Sequence, residues 1–336
     1  MKPFLVDVPV RLKIWCRPDC QKKQWDIIKK ARPSILFIQS DGGRNEGEME
    51  LIYQNRKMID ESIDWDCKVY RFYEENNLGM YESSKKVAKF LWSKVDRCIF
   101  LEDDDVPSIS FFKYCAELLK KYEDDQRVEC ICGHNYFGVW DKCNSDYFFS
   151  RQGSIHGFAT WRRVVLDRND YSYFSDKYIM SLLKNRTKHN RICWKRLNAY
   201  GENKYYENHL AGAEFWIEFN MYSQNRVQIV PKYNLINNVG LRLDSAHSNG
   251  KHYSKKLKSI YNMETYDISF PLKHAKYVIP DIQYEIKRNR ILNYNEPVLL
   301  KVVKYPFKML TLFFNNPKKF FTHFFNKFLR KKSIEK

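Results

Sequence analysis

The stretch Cys98-Ile99-Phe100-Leu101-Glu102-Asp103-Asp104-Asp105 is a short apolar run that ends in four consecutive acids. Four residues of that kind bounded by a charged turn read as a buried strand. Carboxylates set side by side at its end repel one another, and a nearby cation relieves that cost. A hard divalent ion, Mn²⁺ or Mg²⁺, needs only one or two protein carboxylates when a diphosphate supplies further oxygens. The same four acids also suit a solvated turn or a helix N-cap, since Ser108 and Ser110 follow closely.

On either side the chain alternates short apolar runs with longer amphipathic ones. Strands are expected at Arg11 to Trp15, Ile35 to Gln39, Lys68 to Phe72, Cys98 to Leu101 and Val128 to Cys132. Helices are expected at Asp19 to Ala31, Glu48 to Ile63, Tyr81 to Val95 and Phe111 to Tyr122. Arg32-Pro33 stops the first helix, and Ser40-Asp41-Gly42-Gly43 and Asn76-Asn77-Leu78-Gly79 form turns. This order predicts an α/β sheet with helices on its faces. Ligands of such sheets sit beyond the carboxyl ends of the strands, which is where Asp41, Asn77 and the acidic run fall. Further on, Phe158 to Leu166, Lys177 to Leu183 and Asn208 to Asn220 read as helices, Val227 to Val230 as a strand, and Lys184 to Tyr206 as a basic loop over the site.

Composition bounds the setting. The chain has 336 residues, 44% of them hydrophobic, which suffices for a large core. No run of 18 apolar residues occurs and the N-terminus lacks an apolar signal segment, so a cytoplasmic protein without a spanning helix is expected. Nine cysteines, an odd number without zinc-pair spacing, read as reduced, mostly buried thiols. The net charge is +18, and half of it lies in residues 301–336, where ten Lys or Arg stand against one acid, Glu335. Phe320, Phe321, Phe324, Phe325 and Phe328 share one face of a helix capped by Asn316-Pro317. A basic helix with an aromatic face suits an anionic membrane surface; packing on the body is the plainer alternative. No nucleic-acid module is visible, so nucleic acid is not expected as a partner.

Several motifs in order resemble a bacterial GT-A glycosyltransferase family, related in fold to N-acetylglucosaminyltransferase I and in part labelled haemolysin-like. Cys16-Arg17-Pro18-Asp19 is similar to its Asn-Arg-Pro-Asp, and Ser40-Asp41-Gly42-Gly43-Arg44 to its Ala-Asp-Gly-Pro-Arg, with Gly43 in the proline position. Leu101 to Ser108 with Phe111-Phe112 is similar to Leu-Glu-Asp-Asp-Cys-x-Pro-Ser-x-x-Phe-Phe, with Asp105 in the cysteine position. Gly157-Phe158-Ala159-Thr160-Trp161-Arg162-Arg163 is close to its Gly-Trp-Ala-Thr-Trp-Arg-Arg, and Asp244-Ser245-Ala246-His247 resembles its Asp-Ala-Thr-His. The resemblance spans roughly residues 10 to 250.

It implies a GT-A, Rossmann-like nucleotide-diphospho-sugar transferase domain over residues 1–250, an extension packed on it over 251–300, and the membrane-surface tail over 301–336. Asp41, Arg44, Asn77, Glu102 and Asp103 would contact the nucleotide-sugar donor. Asp104 would hold the metal, with Asp105 an open alternative and His247 a further ligand. His156, Gly157, Phe158 and Trp161 would wall a glycan or lipid-linked acceptor. The family places an Asp three positions before a late Trp. Here that position is Ala213, so Glu214 is the candidate base, with Glu218 one turn further along. The expected reaction is inverting sugar transfer in surface polysaccharide synthesis at the inner face of the membrane. A sugar-1-phosphate nucleotidyltransferase and a non-enzymatic membrane-binding protein are the rival readings.

Overall fold

The computed structural model describes residues 1–166, 171–187, 213–242 and 255–292, with six positions between 306 and 317. The chain divides into a compact unit, Met1–Leu292, and a second unit, Asn293–Lys336. In the second unit only Pro306, Met309, Leu310, Phe313, Phe314 and Pro317 are described, all with helical backbone.

The first unit opens β1 (Val6–Ile14), α1 (Pro18–Ala31), β2 (Pro33–Ser40), α2 (Glu46–Asp60), β3 (Lys68–Tyr73), α3 (Met80–Lys94) and β4 (Arg97–Leu101). Each break has a local cause. Pro18 starts α1, where its missing N–H costs nothing, and Arg32 ends it in the left-handed conformation at φ 46°. Asn45 caps α2 by accepting from the Glu48 amide. Next come β5 (Asp105–Pro107), α4 (Ser110–Lys121), β6 (Val128–Cys132), β7 (Tyr147–Ser150), β8 (Phe158–Trp161), α5 (Arg162–Leu166), a 3₁₀ turn (Tyr171–Ser175) and α6 (Lys177–Arg186). After these lie α7 (Ala213–Ser223), β9 (Val227–Pro231), β10 (Ile236–Asn238), α8 (Lys255–Lys258) and α9 (Ile282–Ile291).

Eight strands form one sheet in the order β3-β2-β1-β4-β8-β6-β9-β7. β3, β2, β1 and β4 are mutually parallel, β8 runs antiparallel between β4 and β6, and β7 is antiparallel to β9. The result is a mixed α/β fold around a mostly parallel sheet, consistent with a Rossmann-like arrangement. The chain runs from β1 outward to β3, then returns to the other side of β1 as β4. That reversal makes a topological switch point between β1 and β4. β5 and β10 form a separate two-stranded ribbon that sets Asn238 opposite Asp105.

The inner strands carry Val8, Val10, Leu12, Leu36, Ile38, Ile99 and Leu101, all essentially inaccessible, against Trp25 and Ile28 of α1 and Phe111, Phe112 and Leu118 of α4. Burial on this scale, at ~25 cal/mol per Å² of apolar surface, fixes the strand ends firmly. A second core joins Phe215, Trp216 and Phe219 of α7 to Cys130 and Cys132 of β6 and to Tyr284 of α9.

Phe158 to Leu166 departs from expectation. Its first half is β8 and only Arg162–Leu166 is helical. Along β8 the side chains alternate, so Phe158 stacks on Phe100 at 5.0 Å while Trp161 lies in the other core and donates to the Leu119 carbonyl at 3.0 Å. Both aromatics, expected to wall an acceptor, are buried in the cores.

Candidate active site at the strand ends

A crevice of about 400 Å³ opens at the carboxyl ends of β1, β2 and β4. Lys13 and Arg17 flank the end of β1, Asp41 follows β2, Asn77 follows β3, and Glu102 to Asp104 follow β4; His156, Asn238 and Gly240 close the far side. Asp41, Arg44, Asn77, Glu102, Asp103, Asp104 and His156 therefore border one crevice.

The four acids have four different environments. Glu102 receives Lys13 at 2.5 Å, and the lysine charge lowers its pKa to about 2. Asp103 is gripped by Arg17, whose Nε and Nη2 donate to its two oxygens at 2.7 and 2.8 Å. Burial nevertheless pushes the Asp103 carboxyl up to about 6. Asp104 faces the crevice with one oxygen 3.2 Å from Arg17 Nη2 and the other 3.3 Å from Asn238 Nδ2.

Asp105 is 1% exposed and does not line the crevice. It accepts from the Gly157 amide at 2.9 Å, the Glu102 amide at 3.2 Å and Asn238 at 3.2 Å, and burial raises its pKa. Its oxygens, expected as an alternative metal ligand, are engaged by scaffold amides. Gly157 likewise serves the scaffold: at φ +54° it turns its amide onto Asp105, and a Cβ there would meet Ile236 at 2.5 Å.

Among the described residues no three His, Cys, Asp or Glu side chains converge as a metal cage. Asp104 is the crevice-lining carboxylate of the run whose contacts are longest, and so the side chain there that could ligate a divalent ion.

At the other end, Asp41 is built into its loop. Its Oδ1 accepts the Gly42 amide at 3.0 Å and the Leu78 amide at 2.9 Å, and Asn77 Nδ2 bonds the Gly42 carbonyl at 2.7 Å. The loops after β2 and β3 are thus locked together, with Gly42 too close to the Asn76 backbone for any side chain. Arg44 is ion-paired with Glu48 and lies 5.7 Å over the Trp15 ring.

Residues missed in the sequence include Lys13, Arg17 as a clamp, and Asn238. Asn238 Oδ1 accepts the Gly240 amide at 3.0 Å, which aims Nδ2 at Asp104, Asp105 and, at 3.0 Å, His156 Nδ1. These pairings join residues 82 to 134 positions apart, beyond any local pattern.

Beside His156 lies His134, fully buried with its ring 5.6 Å away. Its Nε2 is 3.1 Å from the Ile260 carbonyl, so that nitrogen carries the proton, and its Nδ1 has no partner among the described residues. Burial holds its pKa down to about 3. A folded-state pKa below the unfolded value of about 6.5 means the unfolded chain binds the extra proton between those values. Stability from this group is therefore present above pH 6.5 and is lost as pH falls toward 3, at up to about 1.4 kcal/mol per pH unit. His134→Gln, which keeps a donor for Ile260, should flatten that component. Urea midpoints at pH 7 and pH 5 check it; equal pH dependence in wild type and variant would refute the assignment.

Of the remaining candidates, His247 and most of the 184–206 loop lie outside the described residues, as do the Glu214 side chain and all but scattered positions of the 301–336 tail. The backbone of Glu214 is in α7; no described residue of that helix lines the crevice.

Neither a protein-family model nor a curated protein sequence matches the chain. Among solved structures, a UDP-glucose pyrophosphorylase complexed with UDP-glucose is similar over 69% of this chain and 93% of that one, at 6% identity and a TM-score of 0.33. Mouse xyloside xylosyltransferase 1, in its apo form, is similar over 66% and 84%, at 13% identity and a TM-score of 0.35. Similarity at this level fixes neither a family nor an activity.

Proposed function

We propose that the chain is a glycosyltransferase that moves a sugar from a nucleoside-diphosphate donor to a glycan or lipid-linked acceptor in surface polysaccharide synthesis, with inversion. One observation carries the reading: the crevice at the β1/β4 switch point sets two cations, Lys13 and Arg17, beside a crevice-facing carboxylate, Asp104. Cations beside a carboxylate suit a diphosphate bound together with a divalent ion.

In this reading the Asp41–Asn77 loops hold the nucleoside, and Lys13 and Arg17 attract the diphosphate. A Mn²⁺ or Mg²⁺ ion held by Asp104 supplies charge stabilisation as the leaving diphosphate departs. His156 borders the acceptor side, and Glu214 takes the acceptor hydroxyl proton. The β1–α1 turn, Trp15-Cys16-Arg17, has no glycine, which disfavours the rival nucleotidyltransferase with its glycine-rich phosphate loop.

Thermal shifts with nucleoside diphosphates and sugar nucleotides, with and without Mn²⁺, test the reading. A bound donor at a hundredfold excess over Kd adds about 2.7 kcal/mol to native-state stability. The expected result is a metal-dependent rise in Tm for at least one sugar nucleotide. A rise with a nucleoside triphosphate and formation of a nucleotide sugar from it would establish the rival instead.

The same proposal places the protein at the inner membrane face through residues 301–336, with their net +9 charge. Co-sedimentation with anionic vesicles should weaken in high salt without vanishing, because the phenylalanine face is not screened, and should be lost on deleting those residues. Binding that survives the deletion would place the membrane contact elsewhere.

A further inference from the structure

Arg11 on β1 is 7% exposed beneath the crevice floor. Its guanidinium donates to Gln39 Oε1 through both Nε, at 3.0 Å, and Nη2, and lies 5.6 Å from the Phe100 ring centre. A guanidinium can only donate, so the Gln39 amide has one allowed orientation: oxygen toward Arg11, nitrogen away. Gln39 Nε2 then donates to Ser83 Oγ at 2.7 Å. Ser83 is 1% exposed, on the first turn of α3, and lines the crevice. Its oxygen is occupied as an acceptor, and its hydroxyl hydrogen meets no acceptor among the described residues. The relay thus runs in one direction, from a buried cation to a hydroxyl that must donate to whatever fills the crevice beside it. Burial lowers the Arg11 pKa to about 10, which leaves it a cation at neutral pH. Successive donors in such a chain polarise one another and strengthen the last.

Position selects the ligand atom. The crevice cations Lys13 and Arg17 flank the end of β1 beside the acids that follow β4, whereas Ser83 stands with Gln39 and Asp41 on the β2 side. We propose that Ser83 is a specificity-determining residue that donates a hydrogen bond to a carbonyl oxygen of the donor's base, with its hydroxyl aimed by Arg11 through Gln39. This rests on the nucleotide-donor reading above. A base that presents an amino group at that point places donor against donor and leaves the Ser83 hydrogen unmatched, a pairing that binding sites discriminate strongly.

The relay supplies its own test. Gln39→Glu keeps the shape and gives Arg11 a carboxylate, but it offers Ser83 an acceptor. The hydroxyl then donates inward and presents lone pairs to the crevice. Affinities by calorimetry for UDP against CDP and for GDP against ADP, pairs that exchange a carbonyl for an amino group, read the effect as a ratio. The added charge of Glu repels every diphosphate alike and cancels in that ratio. Wild type should favour the carbonyl member of at least one pair by about tenfold, the cost of one unmatched hydrogen bond. Ser83→Ala should bring the ratio close to one, and Gln39→Glu should bring it to one or reverse it, with a cooperative thermal transition retained in both. A wild-type ratio of one, or a ratio unmoved in either variant, overturns the inference alone. A wild-type chain that binds none of the four nucleotides overturns both the inference and the donor reading.

Discussion

Asp104→Asn should cut sugar transfer by at least ~10²–10³-fold and abolish the Mn²⁺ dependence of donor binding, while the fold persists. Asp104 is the member of the acidic run that is neither locked in a two-point grip nor turned into the scaffold. Glu102 is paired with Lys13, Asp103 is held at both oxygens by Arg17, and Asp105 is consumed by backbone amides. The contacts of Asp104, at 3.2 and 3.3 Å, are long, so its carboxylate can exchange them for a metal ion at small cost. Asp105→Asn is the contrasting variant. An amide nitrogen there faces either a backbone N–H or the Asn238 amide, so the expected result is a lowered Tm. Donor affinity and turnover measured with and without Mn²⁺ separate the two. Undiminished Mn²⁺-dependent turnover in Asp104→Asn would sink the metal assignment.

The parallel half of the sheet was legible because each of its strands is a continuous apolar run followed by its own amphipathic helix. β1 to β4 and α1 to α4 fall within a few residues of expectation, apart from the start of β1 at Val6. β8 was not legible. Its four residues sit between antiparallel neighbours, β4 and β6, that are distant in sequence, and Phe158-Ala159-Thr160-Trp161 leads directly into the helix at Arg162. Local pattern merged the two into one helix. The acidic run itself was visible, but the partition of roles within it was not. That partition depends on the Arg17 grip from the start of α1, on Gln24 of α1 bonding the Glu102 and Asp105 carbonyls, and on the β5–β10 pairing that delivers Asn238. Each is a tertiary contact with no sequence period of its own.

Arg17 is where stability and binding are most closely joined, and they can be separated. Its side chain and that of Asp103 are about nine-tenths buried. Arg17→Met leaves the Asp103 carboxyl buried without its cation, which should cost about 3–5 kcal/mol of stability. Asp103 already titrates near 6 with Arg17 in place, because burial opposes its charge. Without Arg17 its pKa rises further, so the native state takes up a proton that the unfolded chain, with a pKa near 3.9, releases. The penalty of the variant should therefore shrink as pH falls from 7 to about 6 and level off below, where the wild-type carboxyl takes up its proton as well. Arg17→Met/Asp103→Leu removes both charges, and exchange of a buried ion pair for apolar side chains is often neutral or stabilising. The double variant should regain most of the lost stability in urea titrations. On the proposed reading it should not regain donor affinity, because the guanidinium's charged hydrogen bond to the diphosphate, worth about 10–100-fold in Kd, is lost. Recovery of both properties in the double variant would make Arg17 a purely structural clamp and leave Lys13 as the cation that meets the diphosphate.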